Sequence, residues 1–284
     1  MDLLGHVNNV TYVDYLQEAR IDMLGIHDRL SASRVMTEGV VVVRHEVTFV
    51  APLVYRPEPV LIECWVSEIK AATFTIAYEM YDELPDGDRR VYLRASTVLA
   101  PFVFAQQRPG RLSAEQRRGL ADFADTAPTR SAPIPPLPPS GPRHVSPLQV
   151  RFSDVDAYGH VNNVLYVEFF QEARIVYLNS LAEADTGPWR GWVIAQTDLD
   201  YLRPMLFRAQ PYHVRSWVTR VGTTSMSIAA EIVDTGPDHL DPATSGLVVA
   251  RAQVVLVAFD PSNGRPREFA PTQRAALQRE VSAT

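Results

Sequence analysis

The sequence predicts an α+β protein made of two copies of one domain, each copy a long central helix wrapped by an antiparallel β-sheet. Residues 2–20 (DLLGHVNNVTYVDYLQEAR) and 156–174 (DAYGHVNNVLYVEFFQEAR) agree at 13 of 19 positions without a gap. Runs rich in β-branched and aromatic residues follow both stretches in the same order. A chain of 284 residues is long enough for two domains that each bury a core.

Each copy of the repeated stretch leads into a predicted helix of about five turns. Apolar residues recur there at helical spacing and form one stripe for burial. The stripes consist of Tyr12, Leu16, Ala19 and Met23 in the first copy and of Tyr166, Phe170, Ala173 and Tyr177 in the second.

Four strands are predicted after each helix, and their short, turn-rich connections favour an antiparallel meander over βαβ crossovers. Pro52 and Pro204, like Trp65 and Trp217, keep one offset of 152 residues, so the repeat continues through the sheets. The predicted strands are 40–50, 60–70, 73–82 and 90–104, then 192–202, 212–221, 224–234 and 247–259.

A proline-rich segment separates the two copies, because proline cannot continue a helix or a central strand. We therefore expect a first domain at 1–125, a linker at 126–147 and a second domain at 148–284. In the second domain the alternating stretch LQVRFSD (148–154) predicts a strand before Asp156. The first domain begins at Met1, so its first strand is expected to be missing.

Composition excludes several classes of protein. A net charge of −6 argues against nucleic acid as a partner. The single cysteine, Cys64, allows neither an intrachain disulfide nor a cysteine-based metal site. Neither a signal peptide nor a membrane-spanning apolar segment is apparent. A soluble, cytoplasmic protein without metal or organic cofactor is expected.

The stretch SDVDAYGHVNNVLYVEFFQEAR (153–174) resembles the signature of the 4-hydroxybenzoyl-CoA thioesterase family. Its DxDxxGHVNNVxY core is also similar to that of plant acyl-ACP thioesterases. The resemblance covers both halves and implies a tandem double hotdog fold, in which two domains pair with active sites at their interface. It implies an intrachain pseudo-dimer, with a further homodimer as an added expectation. The implied function is hydrolysis of an acyl-CoA or acyl-carrier-protein thioester to free acid and thiol, in lipid metabolism.

Thioester hydrolysis needs few catalytic groups, because the carbonyl is activated and the thiol leaves readily. A carboxylate that attacks or deprotonates water and hydrogen-bond donors for the oxyanion suffice. Asp156 precedes a helix amino terminus, which supplies free N–H groups and the positive end of a dipole.

The resemblance implies roles for residues in both copies. Asp156 matches the catalytic carboxylate, and Tyr158 stands where the plant enzymes have a catalytic Asn, so Asp156 is predicted as base or nucleophile without that Asn. Because Asp2 directly follows Met1, we expect the Asp156 site to be the working one. The matching residues are Asp156 and Asp2 for the carboxylate, the backbone N–H near Asn163 and Asn9 for the oxyanion, His160 and His6 for the plant histidine, Tyr158 and Leu4 for the replaced Asn, and Tyr166 and Tyr12 for substrate contact.

Structural interpretations of the same residues remain open. Asp156 and the paired asparagines are favoured as helix or turn caps without catalysis. The histidines could only fix the loop to a carbonyl, and the tyrosines could be core. Glu172 with Arg174, like Glu18 with Arg20, could form an exposed ion pair of little energetic value, a helix-to-sheet contact or a domain-to-domain contact.

Two other functions stay open within the hotdog superfamily. A dehydratase acting on acyl thioesters would use His as base and would release no thiol. A non-catalytic acyl-CoA-binding protein would bind without turnover, because the fold alone does not determine the function. No G-x-S-x-G, G-x-G-x-x-G or G-x-x-x-x-G-K-[ST] motif points to a serine hydrolase or a nucleotide fold.

Overall fold

The computed structural model describes residues 5–31, 39–103, 106, 108–126, 144–156, 158–183, 191–236, 241–243, 245–260 and 262–282. Asp2, Leu4 and residues 127–143 of the predicted linker lie outside these ranges. The chain divides into two compact units, Met1–Ser131 and Ala132–Thr284. Within the described ranges, no helix has the length and apolar character that crossing a membrane requires.

The first unit contains a long helix followed by an antiparallel sheet. Its sheet has the order β2-β3-β4-β1, and β5 pairs with the end of β4. The elements are α1 (Asn9–Ser31), β1 (Val40–Phe49), β2 (Leu61–Ile69), β3 (Phe74–Glu83), β4 (Arg89–Val103), β5 (Arg108–Pro109) and α2 (Ala114–Ala121).

Among the described residues, the second unit repeats this plan with one more strand. Its sheet has the order β7-β10-β9-β8-β6, and β11 pairs with the end of β10. The elements are β6 (His144–Leu148), a short 3₁₀ helix (Phe152–Asp154), α3 (Asn163–Glu183), β7 (Trp192–Tyr201), β8 (Tyr212–Val221), β9 (Ser225–Asp234), β10 (Leu247–Asp260), β11 (Arg265–Pro266) and α4 (Pro271–Ser282).

The predicted four-strand meander is wrong at its first strand in both units. β2, β3 and β4 follow one another as hairpins, but β1 pairs with β4 instead of β2. The connection 50–60 contains three prolines and is too long for a tight hairpin, whereas 70–73 closes through the Lys70 N–H to Thr73 carbonyl bond of 2.8 Å. The pairing of β7 with β10 repeats this arrangement.

The strand predicted at 148–154 is displaced towards the amino terminus. β6 spans His144–Leu148, so all but its last residue lie inside the predicted linker, and residues 152–154 form the 3₁₀ helix instead. Pro147 lies within β6 and is opposite His213 of β8. Proline is tolerated at this position because β6 is the edge strand of its unit, where one side of the backbone needs no ladder bond.

The helix stripes predicted from the sequence are buried against the sheets. Leu16 of α1 is 0% exposed and Tyr177 of α3 is 2% exposed. In the second unit, Tyr177 belongs to a core cluster with Val218, Ile228 and Leu256 from the sheet. Burial of these side chains supplies the main free energy that holds helix to sheet.

The exposed ion pairs predicted on the helices are wrong. Arg20 is 6% exposed and faces the sheet, where its positive charge lowers the pKa of His45. Arg174, its equivalent on α3, lines an internal cavity, and no ion pair joins it to Glu172 among the described residues. The alternative prediction, a helix-to-sheet contact, describes both arginines.

His45 is a neutral histidine in the core of the first unit. It is 1% exposed, and its Nδ1 lies 2.9 Å from the Thr97 hydroxyl. Burial, and secondly the charge of Arg20, lowers the His45 pKa to about 3. The unfolded chain therefore binds a proton at this residue below pH ~6.5 that the folded chain does not bind.

The stability of the first unit should fall with acid because of His45. Its contribution is fully present above pH ~6.5 and is lost as the pH falls from there towards 3, by up to ~1.4 kcal/mol per pH unit. We expect His45→Thr, which introduces the residue found at the equivalent position 197, to flatten the stability curve between pH 6.5 and 4.5. Chemical unfolding at a series of pH values measures this effect, and parallel curves for the two proteins would contradict it.

Candidate functional site

The loop before α3 closes on itself at Asp156. Val155 and Val161 form an isolated antiparallel bridge. The Asp156 N–H donates to the His160 carbonyl at 2.8 Å, and the Gly159 N–H donates to the Asp156 carbonyl at 3.1 Å. Gly159 has a φ of 82°, a conformation that other residues rarely adopt. The sharp turn holds Asp156 within a few residues of the helix start.

The Asp156 carboxylate uses one oxygen to hold this loop. Oδ1 accepts hydrogen bonds from the backbone N–H of Tyr158 at 2.8 Å and of His160 at 3.3 Å. Oδ2 has no hydrogen-bond partner among the described residues, and the side chain is half-buried. The loop-capping role thus occupies only one of the two oxygens.

Asn162 and Asn8 cap the two long helices, as the structural interpretation predicts. Asn162 Oδ1 accepts from the Val164 N–H at 2.9 Å, and its carbonyl accepts from the Leu165 N–H at 3.1 Å. Asn8 makes the same side-chain bond to the Val10 N–H at 2.9 Å. The N–H groups of Val164 and Leu165 are therefore engaged in the cap. The predicted oxyanion donor, the Asn163 N–H, precedes them in the same turn.

The tyrosines predicted to contact substrate are anchors between helix and loop. Tyr166 and Tyr12 are each 3% exposed. The Tyr166 hydroxyl accepts from the Met205 N–H at 3.0 Å, and the Tyr12 hydroxyl accepts from the Leu53 N–H at 2.9 Å. Burial raises the pKa of Tyr166 well above its usual value. The structure thus gives both residues a role in the core, and substrate contact stays a prediction.

Asp154 is a residue of the site to which the sequence analysis assigned no role. It is 2% exposed, and its carboxylate accepts from the Arg151 N–H at 2.7 Å and from the Arg151 Nε at 2.9 Å. Its carbonyl accepts from the Asn162 N–H at 3.0 Å. Asp154 therefore ties the chain before Asp156 to the helix cap after it. Its place as the first Asp of the DxD pattern was the available signal.

The described residues before α1 begin at Gly5 and share one backbone feature with the Asp156 loop. Gly5 has a φ of 79°, like Gly159, and His6 forms a bridge with Val54. The Asn9 side-chain nitrogen is buried without a hydrogen-bond partner in the described ranges. The carboxylate predicted for this copy, Asp2, lies outside them, so its role stays a prediction. Among the described residues, no three His, Cys, Asp or Glu side chains gather to hold a metal ion.

Comparison with known families places both halves of the chain in one group. The model of the thioesterase-like superfamily matches residues 1–138 and again residues 150–277. The double match agrees with the internal repeat, since each half matches the same family model.

Individual relatives agree with this match. The uncharacterized protein YsmA of Bacillus subtilis is 34% identical over 133 residues, which cover 46% of this chain and 82% of YsmA. The long-chain acyl-CoA thioesterase FadM of Escherichia coli is 27% identical over 118 residues, 40% of this chain and 80% of FadM. The structure of the 12:0-ACP thioesterase from Umbellularia californica superimposes with a TM-score of 0.69 at 18% identity, covering 94% of this chain and 93% of that one. This last likeness shows the double hotdog fold.

Proposed function

Because the chain belongs to the thioesterase-like superfamily, we propose that it hydrolyses an acyl thioester to a free acid and a thiol at the loop that carries Asp156. The substrate class we propose is an acyl-CoA or an acyl-carrier-protein thioester. Support for the acyl group comes from the FadM relative and from the fold shared with a 12:0-ACP thioesterase.

One observation carries this proposal, namely the different hydrogen bonding of the two oxygens of the Asp156 carboxylate. Two backbone N–H groups hold Oδ1, while Oδ2 has no hydrogen-bond partner among the described residues. A carboxylate fixed in this way is oriented without being neutralised by an ion pair. Such preorganisation is what a general base or a nucleophile requires.

The chemical step follows from these positions. With Asp156 as base, Oδ2 takes a proton from water while the water oxygen attacks the thioester carbonyl. The negative charge that develops on the carbonyl oxygen is stabilised by N–H donors of the first turn of α3, where Asn163 supplies the proposed one. The carbon–sulfur bond then breaks, the thiolate leaves, and the proton held by Asp156 returns to the products.

Asp156 as nucleophile is the second form of the same step. The carboxylate then attacks the carbonyl directly, the thiolate leaves, and water hydrolyses the mixed anhydride in a second stage. After a single turnover in ¹⁸O-labelled water, label in the Asp156 carboxylate would identify the nucleophile route, with water attacking the aspartyl carbonyl of the anhydride. His160 is proposed to shape the loop through its backbone N–H and carbonyl.

The direct test is thiol release from a panel of short, long, aromatic and 3-hydroxy acyl groups, carried on CoA and on acyl-carrier-protein. Catalytic release of one thiol per free acid is expected for at least one acyl class. Product analysis by mass spectrometry distinguishes the alternatives. A dehydrated acyl thioester without free thiol would identify a dehydratase, and saturable binding without turnover of any substrate would identify a binding protein. Either result would refute the proposed hydrolysis.

A further inference from the structure

A small cavity lies between α3 and the sheet of the second unit. Its volume is about 20 Å³, and one water-sized guest needs roughly 10–15 Å³. Most of its wall is apolar and includes Val167, Phe170 and Ile228, and three polar side chains also face it, those of Arg174, Thr197 and Ser216. An apolar cavity of this size would be expected to stay empty, whereas polar groups on its wall call for a guest.

The three polar groups lack partners of their own. The Thr197 and Ser216 hydroxyls are buried without a hydrogen bond in the described ranges, and Ser216 is 1% exposed. Arg174 is half-buried, and its guanidinium makes no hydrogen bond or ion pair in the part of the chain that the structure describes. Buried polar groups of native proteins nearly always have a partner, because leaving one unmade costs about 1–3 kcal/mol.

The chemistry of the wall selects the guest. Arginine can only donate hydrogen bonds, and each hydroxyl can donate one. No carboxylate lines the cavity, and Asp198 points to the other face of β7 because successive strand residues alternate. Burial lowers the pKa of Arg174 to about 10, so the guanidinium is still charged at neutral pH. Glu172 acts electrostatically on Arg174, but its side chain is exposed and is not part of the cavity wall. A water molecule could accept from some of these donors, whereas an anion accepts from all three groups and also lies beside the positive charge.

The first unit shows what happens when the same space is filled. Arg20 occupies the place of Arg174, but Tyr78 stands where the second unit has Ala230, and His45 stands where it has Thr197. Both Tyr78 and His45 are 1% exposed, so their rings fill the interior beside Arg20. The second unit keeps the arginine and replaces both rings by small residues, which opens the cavity.

We propose that the cavity of the second unit is a binding site for one small monovalent anion of the size of chloride, held by the Arg174 guanidinium and the Thr197 and Ser216 hydroxyls. The anion joins α3 to the sheet and serves structure, at a place separate from the Asp156 loop. The proposal does not depend on the proposed thioesterase function.

The test is the thermal unfolding of the full chain in chloride against gluconate at one ionic strength, since gluconate is too large for the cavity. The transition of the second unit is expected to rise with chloride, by roughly 5–10 °C when chloride is ~100 times its dissociation constant. Ala230→Tyr, which copies the filled interior of the first unit, and Ser216→Ala should both weaken this response. Arg20→Met is the matched control and should keep it.

A second measurement protects the test against variants that fail to fold. Crystals of the unchanged protein soaked in bromide should show an anomalous density peak within about 3.5 Å of the Arg174 guanidinium. A cavity that holds only water, together with melting temperatures equal in chloride and gluconate, would overturn the proposal. A chloride response retained in full by Ala230→Tyr would also overturn it, because the anion would then bind elsewhere.

Discussion

Asp156→Asn is expected to lower kcat/KM for acyl thioesters by ~10² or more, the usual contribution of a positioned acid or base. Asn retains an Oδ1 that can accept the hydrogen bonds now made by the Tyr158 and His160 N–H groups at 2.8 and 3.3 Å. It loses the negative charge and the basic second oxygen. The substitution therefore removes the base or nucleophile while the loop can keep its conformation. The melting temperature should change little.

Asp86→Asn is the matched control for this prediction. Asp86 lies in the exposed turn between β3 and β4, and its Oδ1 accepts from the Asp88 N–H at 3.2 Å, the same two-residue spacing as at Asp156. The control removes a carboxylate from a similar turn that does not precede a helix. It should leave kcat/KM unchanged. Equal activity of Asp156→Asn and the unchanged protein would refute the assigned role.

Asp2→Asn completes this series for the first copy. The sequence predicts that it costs little activity, so that Asp156 carries most of the turnover. Steady-state kinetics on the three variants measures this directly. If Asp2→Asn proved as damaging as Asp156→Asn, the prediction of a single working site would be wrong.

Trp217→Ala is expected to destabilise the second unit by about 3–5 kcal/mol, the range measured when a large aromatic side chain is removed from a core. Trp217 is 2% exposed on β8 and is among the largest fully buried side chains. The surrounding structure can collapse only partly into the space left behind, so the lost burial and the remaining cavity add together.

Trp65→Ala provides the matched comparison for Trp217, because Trp65 holds the equivalent position on β2. Trp65 is only half-buried, and its Nε1 donates to the Thr126 carbonyl at 3.1 Å. We expect this substitution to cost less than half as much. Calorimetry should show separate shifts of the two units, and equal losses in both variants would contradict the burial argument.

Local patterns were enough to predict the elements of this fold. Alternation in residues such as those of VLIECWVSEIK placed β2 within a residue of its observed bounds, Leu61–Ile69. The four-residue spacing from Tyr12 to Leu16 identified the buried face of α1, since side chains four apart share a helix face. The predicted α+β class and the double hotdog fold are confirmed.

The features that the sequence did not predict depend on contacts distant along the chain. Pairing of β1 with β4 joins Val47 to Ala95 across two hairpins, and no local pattern encodes that choice. The position of β6 was not predicted because the strand contains a proline and directly follows the proline-rich segment assigned to the linker. The sequence left the place of Arg174 open, although it lies four residues after Phe170 and so on the buried face. The catalytic roles, the domain limits and the intrachain pairing stay predictions.

Pro147 on β6 also bears on how the protein avoids unwanted association. An edge strand normally presents a row of N–H and C=O groups that a strand of another molecule can extend, which is a common start of aggregation. Proline has no N–H to offer and interrupts that row within a strand of only five residues, His144–Leu148. The residue that made this segment resemble a linker therefore lets it complete its own sheet while discouraging the addition of a further, foreign strand.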